Sequence, residues 1–97
     1  MRQFFDPQGI VIIGVSDAPT NLGRHIVDNL GRWEFGGRLV AVGREAGTVN
    51  GVAVLDSMDH PDDFAGCDLA VVLTPAPLVP GYVRRCGELS IGHVIVE

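Results

Sequence analysis

The sequence predicts an α/β domain built on an open parallel sheet. Short runs of β-branched residues alternate with two segments whose apolar residues recur at helical spacing. The hydrophobic share of 46% fits strands that are buried on both faces, as they are in parallel sheets. Because 97 residues provide one core of modest size, we expect residues 1–97 to form a single domain with no room for a second, catalytic one.

The first half of the chain has the pattern of a strand–helix–strand unit. Residues 9–14 form a β-branched run that ends in glycine, which is typical of a buried strand. The stripe of apolar residues that follows has helical spacing: Leu22, Ile26, Leu30 and Trp33, flanked by Val27 and Phe35. Thr20 or Asn21 can cap this helix, and Gly36 with Gly37 ends it. A second strand at residues 38–43 completes a right-handed βαβ unit.

The middle of the chain is less regular. Residues 44–51 are polar or small and too few for a helical crossover. Residues 52–55 predict a brief third strand whose direction the sequence leaves open. The acidic stretch 56–64 predicts a turn or a short helix.

The last third of the chain repeats the alternation. Residues 68–73 predict a strand, residues 78–89 trace a helical face, and residues 92–97 predict a final strand. Together the elements predict a Rossmann-like open parallel sheet of about five strands with flanking helices, in which the last covering helix is absent. An uncovered last strand implies an apolar surface for a neighbour to cover, so a non-catalytic interaction domain is one possible function.

Composition excludes several functions. A net charge of −5 with no basic cluster argues against nucleic-acid binding, and no apolar run is long enough to span a membrane. All seven basic residues are arginines, which excludes a Schiff-base lysine and a Walker A lysine. Cys67 and Cys86 are expected to be reduced core thiols. The N-terminus lacks the pattern of a signal peptide, so we expect a cytoplasmic protein.

The ligand site of such a sheet lies beyond the carboxyl ends of its strands. The first loop there reads Gly14-x-Ser16 and continues to Gly23, which differs from the GxGxxG dinucleotide fingerprint. The side chains of Ser16, Thr20 and Asn21 suit phosphate oxygens next to a helix N-terminus. Their alternative role is that of ordinary turn and cap residues.

The residue after the second strand helps to discriminate between cofactors. NAD-binding domains usually carry an acid there, whereas this chain reads Val42-Gly43-Arg44. An arginine suits a phosphorylated ribose, as in NADP or in coenzyme A with its 3′-phosphate. Alternatively, Arg44 is a solvated surface charge beside Glu45.

At this point the sequence resembles a known family. The resemblance is carried by Phe5-Asp6-Pro7, Ile10 to Ser16, Gly23, Asn29-Leu30, Phe35-Gly36-Gly37, Val49 to Val52, Asp68 to Val72 and Pro75-Ala76-Pro77. These residues look like the CoA-binding domain that opens NDP-forming acyl-CoA ligases, a family that includes succinyl-CoA ligase α-subunits and ADP-forming acetate–CoA ligases. The resemblance covers nearly the whole chain.

The resemblance implies a cofactor, coenzyme A or acyl-CoA, and a set of residues that hold it. Carried over position by position, this set is Gly14, Ser16, Asn21, Leu22, Gly23, Val42, Gly43, Arg44, Pro75, Ala76 and Pro77; Thr20 joins the candidate site through its hydroxyl alone. It also implies that the remaining ligase domains, in cis or in a partner subunit, supply a phosphohistidine. The family commonly has Asn-Pro and a basic residue after the second strand, whereas this chain reads Gly43-Arg44-Glu45. Either Arg44 replaces the usual basic contact, or the affinity for CoA is reduced.

Other functions compete with this one. A CoA-sensing domain fused to an acetyltransferase would look the same, and an NADP-binding domain would also use Arg44. A serine hydrolase is disfavoured because Gly14-x-Ser16-x-Ala18 lacks the second glycine of a nucleophile elbow. We assign no catalytic residue among the histidines His25, His60 and His93, and no metal to the acidic turn, which we expect to be a solvated loop.

Overall fold

The computed structural model describes residues 8–16, 18, 20–32 and 37–97. Within these ranges, six strands form one sheet: β1 (Gly9–Ile13), β2 (Arg38–Val42), β3 (Gly47–Val49), β4 (Val52–Leu55), β5 (Leu69–Val72) and β6 (His93–Val96). The described helices are α1 (Leu22–Arg32), α2 (Val79–Glu88) and two short 3₁₀ helices, Pro61–Phe64 and Ala76–Leu78.

The strand order is β3-β4-β2-β1-β5-β6, with β1 near the centre. β1 pairs in parallel with both β2 and β5, and β4 and β6 extend the sheet in parallel on either side. The predicted Rossmann-like fold is therefore confirmed. The direction of the strand at residues 52–55, which the sequence left open, is parallel to β2.

The described part of the sheet has one strand more than the sequence indicated. β3 pairs antiparallel with β4 across the turn at Asn50 and Gly51, which have φ values of 50° and 81°. Positive φ at both positions is what an Asn-Gly turn of a two-residue hairpin provides. Residues 44–51 hold no helical crossover, as predicted, but β3 was not anticipated because Gly47-Thr48-Val49 is too short and too exposed to show a strand pattern.

Each face of the sheet is covered at its centre. On one face, Val27 of α1 packs with Ile12, Ala41 and Val54. On the other face lies a second apolar cluster of fully or nearly fully buried residues: Val11, Val42, Met58, Phe64, Val72, Cys86 and Ile91. All five residues of β1 are buried as a result, which explains the uninterrupted apolar run in the sequence.

The helices begin close to where the sequence predicted. Asn21 caps α1, since its Oδ1 accepts from the amide of Arg24 at 2.8 Å. The predicted helix end at Trp33 to Gly36 lies outside the described residues. α2 begins at Val79, and Pro80 lies in its first turn, where the missing amide leaves no intrahelical bond unmade.

The sheet ends at β6. Ile95 and Val96 of this edge strand are each 49% exposed. The other exposed large apolar side chains among the described residues are Leu78, just before α2, Val83 within α2, and Leu22 at the start of α1.

Candidate functional site at the carboxyl edge of the sheet

The five parallel strands place their carboxyl ends along one edge of the sheet. The connection from β1 to β2 passes through α1 on one face, whereas the connection from β5 to β6 passes through α2 on the other. The chain order therefore reverses between β1 and β5. In open α/β sheets, the crevice for a ligand forms at this position.

The loop after β1 is held tightly against the end of β2. Gly14 has a φ of 106°, a conformation that strongly favours glycine. The amides of Gly14 and Val15 both donate to the carbonyl oxygen of Val42, at 2.8 and 3.0 Å. The end of β1 therefore turns across β2 rather than continuing along the sheet.

Asn21 fixes the far side of the same loop. In addition to capping α1, its Oδ1 accepts from the amide of Ser16 at 3.1 Å, and its Nδ2 donates to the carbonyl oxygen of Gly14 at 3.0 Å. Three hydrogen bonds therefore occupy a side chain that the sequence analysis also considered for phosphate binding. In this structure, Asn21 shapes the loop.

The remaining predicted residues of this loop differ in exposure. Ser16 is exposed, and its Oγ accepts from the amide of Ala18 at 3.3 Å. Thr20 is exposed, and Leu22 is 52% exposed at the start of α1. Gly23 is buried, and a Cβ there would lie 3.0 Å from Cγ2 of Val15 and 3.1 Å from the carbonyl oxygen of Gly14. The start of α1 therefore lies directly against the end of β1.

The end of β2 forms the second part of the site. Val42 and Gly43 are buried, and the amide of Gly43 donates to the carbonyl oxygen of Leu55 at 2.9 Å. A Cβ at position 43 would collide with the carbonyl oxygen of Val15. Arg44 follows Gly43 and is exposed.

The end of β5 forms the third part. The amide of Leu73 donates to the carbonyl oxygen of Ile13 at 2.9 Å, and the carbonyl group of Leu73 lies 3.0 Å from where a Cβ of Gly14 would stand. The chain then leaves the sheet, and Pro75, Ala76 and Pro77 are exposed on the way into α2. The three predicted segments thus meet at one edge.

Two further residues lie at this edge, although neither was singled out individually from the sequence. Thr74 lies between Leu73 and the exposed prolines, and its hydroxyl oxygen is buried without a hydrogen-bond partner among the described residues. Glu97 follows β6, and its amide donates to the carbonyl oxygen of Val72 at 3.1 Å. The position of Glu97 at this edge could have been predicted from the sequence, because the carboxyl end of a last parallel strand lies at the same edge as those of the other strands.

A groove of about 550 Å³ opens beside this edge, between the loop after β4 and α2. Arg85 of α2 closes its floor, since its Nε donates to the carbonyl oxygen of Met58 at 2.8 Å and its Nη1 pairs with Glu88 at 3.1 Å. The groove is lined by Asp56 and Tyr82 but by none of the residues predicted from the sequence. Arg85 thereby fixes the loop that follows β4.

Neither cysteine provides a nucleophile for this edge. Both thiols are buried and reduced, and burial raises the pKa of Cys67 and of Cys86. A raised pKa keeps a thiol protonated near neutral pH, and the thiolate is the reactive form. The prediction that both are core thiols is confirmed.

The fold defines a class: a Rossmann-like α/β domain with an open, mostly parallel sheet, a class in which ligands generally bind at the carboxyl ends of the strands. The sequence pattern described as "CoA binding domain" matches residues 8–97. This chain therefore belongs to the CoA-binding domain family. No helix within the described ranges is long and apolar enough to cross a membrane.

Relatives are consistent with this assignment. The chain is 32% identical over 94 residues to the α-subunit of acetate–CoA ligase (ADP-forming) II from Pyrococcus furiosus. The alignment covers 96% of this chain and 20% of that subunit, so this chain spans about a fifth of its relative.

Solved structures resemble the fold as well. A dinucleotide-forming acetyl-coenzyme A synthetase 1 from Ca. Korarchaeum cryptofilum, solved in complex with phosphate and ADP, superposes with a TM-score of 0.76 at 29% identity, over 88% of this chain and 18% of that one. A conserved hypothetical protein from Pyrococcus furiosus has a TM-score of 0.75 at 18% identity, over 93% of this chain and 74% of its own, and shares the fold.

Proposed function

We propose that this chain binds coenzyme A at the carboxyl edge of its sheet and serves as the CoA-binding module of an ADP-forming acyl-CoA ligase. The family match over residues 8–97 is the observation that carries the proposal. The named relatives support the ligase context, since one is an ADP-forming acetate–CoA ligase subunit of which this chain spans a fifth.

The residues of the edge have the chemistry that this ligand needs. Backbone amides at the start of α1, which Gly14 and Gly23 pack against the end of β1, suit a pyrophosphate. The exposed guanidinium of Arg44 suits the 3′-phosphate of the ribose, to which it can donate two parallel hydrogen bonds. When bound, coenzyme A supplies the thiol that accepts the acyl group, and we assign the phosphohistidine chemistry to other domains of the parent protein.

The proposal predicts a specific ligand preference. In isothermal titration calorimetry, the chain should bind coenzyme A with higher affinity than dephospho-CoA, and both with higher affinity than NADP or NAD. A preference for NADP would instead indicate a dehydrogenase-type domain that uses the same arginine for a 2′-phosphate. If none of the four ligands binds to residues 1–97, the proposal is contradicted for this chain.

Substitution of Arg44 tests the 3′-phosphate contact. Arg44→Ala should weaken coenzyme A binding roughly tenfold, the scale of a charge-assisted hydrogen bond at an exposed site, and leave dephospho-CoA unchanged. Arg84→Ala, which removes an exposed arginine of α2, is the matched control and should change neither affinity. Equal affinity of wild type and Arg44→Ala for coenzyme A would exclude the assigned role.

A further inference from the structure

Thr74 lies at the seam where the chain order reverses. It directly follows Leu73, whose amide bonds to Ile13 at 2.9 Å and whose carbonyl group packs against Gly14. Thr74 as a whole is partly exposed, but its hydroxyl oxygen exposes less than 1 Å² and has no hydrogen-bond partner among the described residues. It is the one described side-chain oxygen or nitrogen in this condition.

An unpaired buried hydroxyl is unfavourable in the free protein, because it has lost its water without gaining another partner. The same lack of a partner leaves the Thr74 hydroxyl available to hydrogen-bond a ligand. Asn21 would have to break three hydrogen bonds to reach a ligand, and Ser16 already accepts from the amide of Ala18. A rotation of Thr74 about χ1 moves its hydroxyl to another staggered position without breaking any bond within the described chain.

The strand order indicates which part of coenzyme A reaches this seam, if the proposed function holds. Along the edge, β2 with Arg44 comes first, then β1 with the start of α1, then β5 with Thr74. The ligand has the same linear order: ribose 3′-phosphate, pyrophosphate, pantetheine arm. With the phosphates at Arg44 and α1, the arm continues past β5, and its hydroxyl and amides are neutral hydrogen-bonding groups.

We propose that the hydroxyl of Thr74 hydrogen-bonds the pantetheine arm of coenzyme A and so distinguishes the complete cofactor from its nucleotide part. This inference rests on the proposed function. It assigns a specificity role to a side chain that contributes no hydrogen bond to the described fold.

Thr74→Val is the decisive variant because valine has nearly the shape of threonine without the hydroxyl. It should weaken coenzyme A binding about 3- to 10-fold, the scale of one neutral hydrogen bond, in isothermal titration. Binding of 3′-phosphoadenosine 5′-diphosphate, which keeps the phosphates and lacks the arm, should not change. The melting temperature of the free variant should rise by a few degrees, roughly 2–8 °C, because an unpaired buried hydroxyl is removed.

Thr74→Ser keeps the hydroxyl and should retain the wild-type affinity within about twofold, the scatter of a small packing change. A lower melting temperature for Thr74→Val would show that the hydroxyl already has a partner in the protein and would overturn the inference. Unchanged affinity for coenzyme A, or equal weakening of both ligands, would overturn it as well while leaving the proposed function intact. If wild type binds neither ligand, the proposed function fails and the inference fails with it.

Discussion

At the scale of single residues, Gly43 shows how the close approach of two backbone segments restricts which residue a position can hold. Gly43 has the carbonyl oxygen of Val15 where a Cβ would stand, and Cγ1 of Val54 lies 3.2 Å from the same point. The sequence identified Gly43 as a site residue, but only the structure shows that it is required by the packing of the β1 loop over the end of β2. No spacing rule contains that information, since Val15 and Gly43 meet only after folding.

Gly43→Ala should therefore destabilise the domain. We expect a loss of about 1–3 kcal/mol in the free energy of unfolding by urea, the scale of an overpacked core position. Gly47→Ala is the matched control, because nothing lies within 4 Å of a Cβ at that position. Equal stability of the two variants would contradict the described approach of Val15.

At the scale of elements, the loop between β1 and α1 is organised by one side chain. Asn21 joins the end of the strand, the turn and the first turn of the helix through its three hydrogen bonds. The sequence predicted the cap from residue type and position. The bonds to Ser16 and Gly14 could not be predicted, because they depend on how the loop folds back over five and seven residues.

Asn21→Ala should lower the free energy of unfolding by about 1–3 kcal/mol, since a cap and two further hydrogen bonds are lost. Asn21→Asp keeps the acceptor oxygen and loses the donor to the carbonyl of Gly14, so its stability should lie between wild type and Asn21→Ala. Chemical denaturation measures both. A variant Asn21→Asp as unstable as Asn21→Ala would show that the bond to Gly14, and not the cap, dominates.

The other elements illustrate where sequence patterns are sufficient. β1, β2, β4, β5 and β6 and both described α-helices were predicted, because a buried parallel strand leaves an apolar run and an amphipathic helix leaves a periodic signal. β3 was missed, since three residues cannot show a period and two of them are exposed. The same limit applies to Thr74, whose importance lies in a missing partner that only a structure can reveal.

At the scale of the whole molecule, Asp68 joins the amino ends of three strands. Its carboxylate accepts from the amides of Gln8 and Gly9 at 3.0–3.2 Å, its own amide donates to Gly9 at 2.9 Å, and its carbonyl accepts from His93 at 3.1 Å. The hydrogen bond from the Gln8 amide lowers the pKa of Asp68, with a further contribution from Gly9. The ends of β1, β5 and β6 are thus linked through one residue, whose carboxylate bonds to the start of β1 and whose backbone bonds to both β1 and β6.

This link predicts the dependence of stability on pH. Because the pKa of Asp68 is lower in the folded state, its stabilising contribution is present above the ordinary aspartate pKa of about 3.9 and is lost as the pH falls through the folded value. Asp68→Asn should be less stable than wild type at pH 7, and the difference should shrink below about pH 4.

Urea denaturation at a series of pH values measures this difference. Asp62→Asn, which removes an exposed carboxylate from the 3₁₀ helix, controls for the change in net charge. A stability difference for Asp68→Asn that stays constant from neutral to acidic pH would contradict the role of the ionised carboxylate.

The central position of β1 also has a consequence for how the chain folds. β1 pairs with β2, which begins some 25 residues after β1 ends, and with β5, which begins about 55 residues after β1 ends. Until β5 has docked, one flank of this fully buried, apolar strand lacks its hydrogen-bonding partner. Pairings over such distances form slowly, and unpaired apolar edges aggregate, so we expect the chain to be most prone to aggregation before β5 has paired with β1.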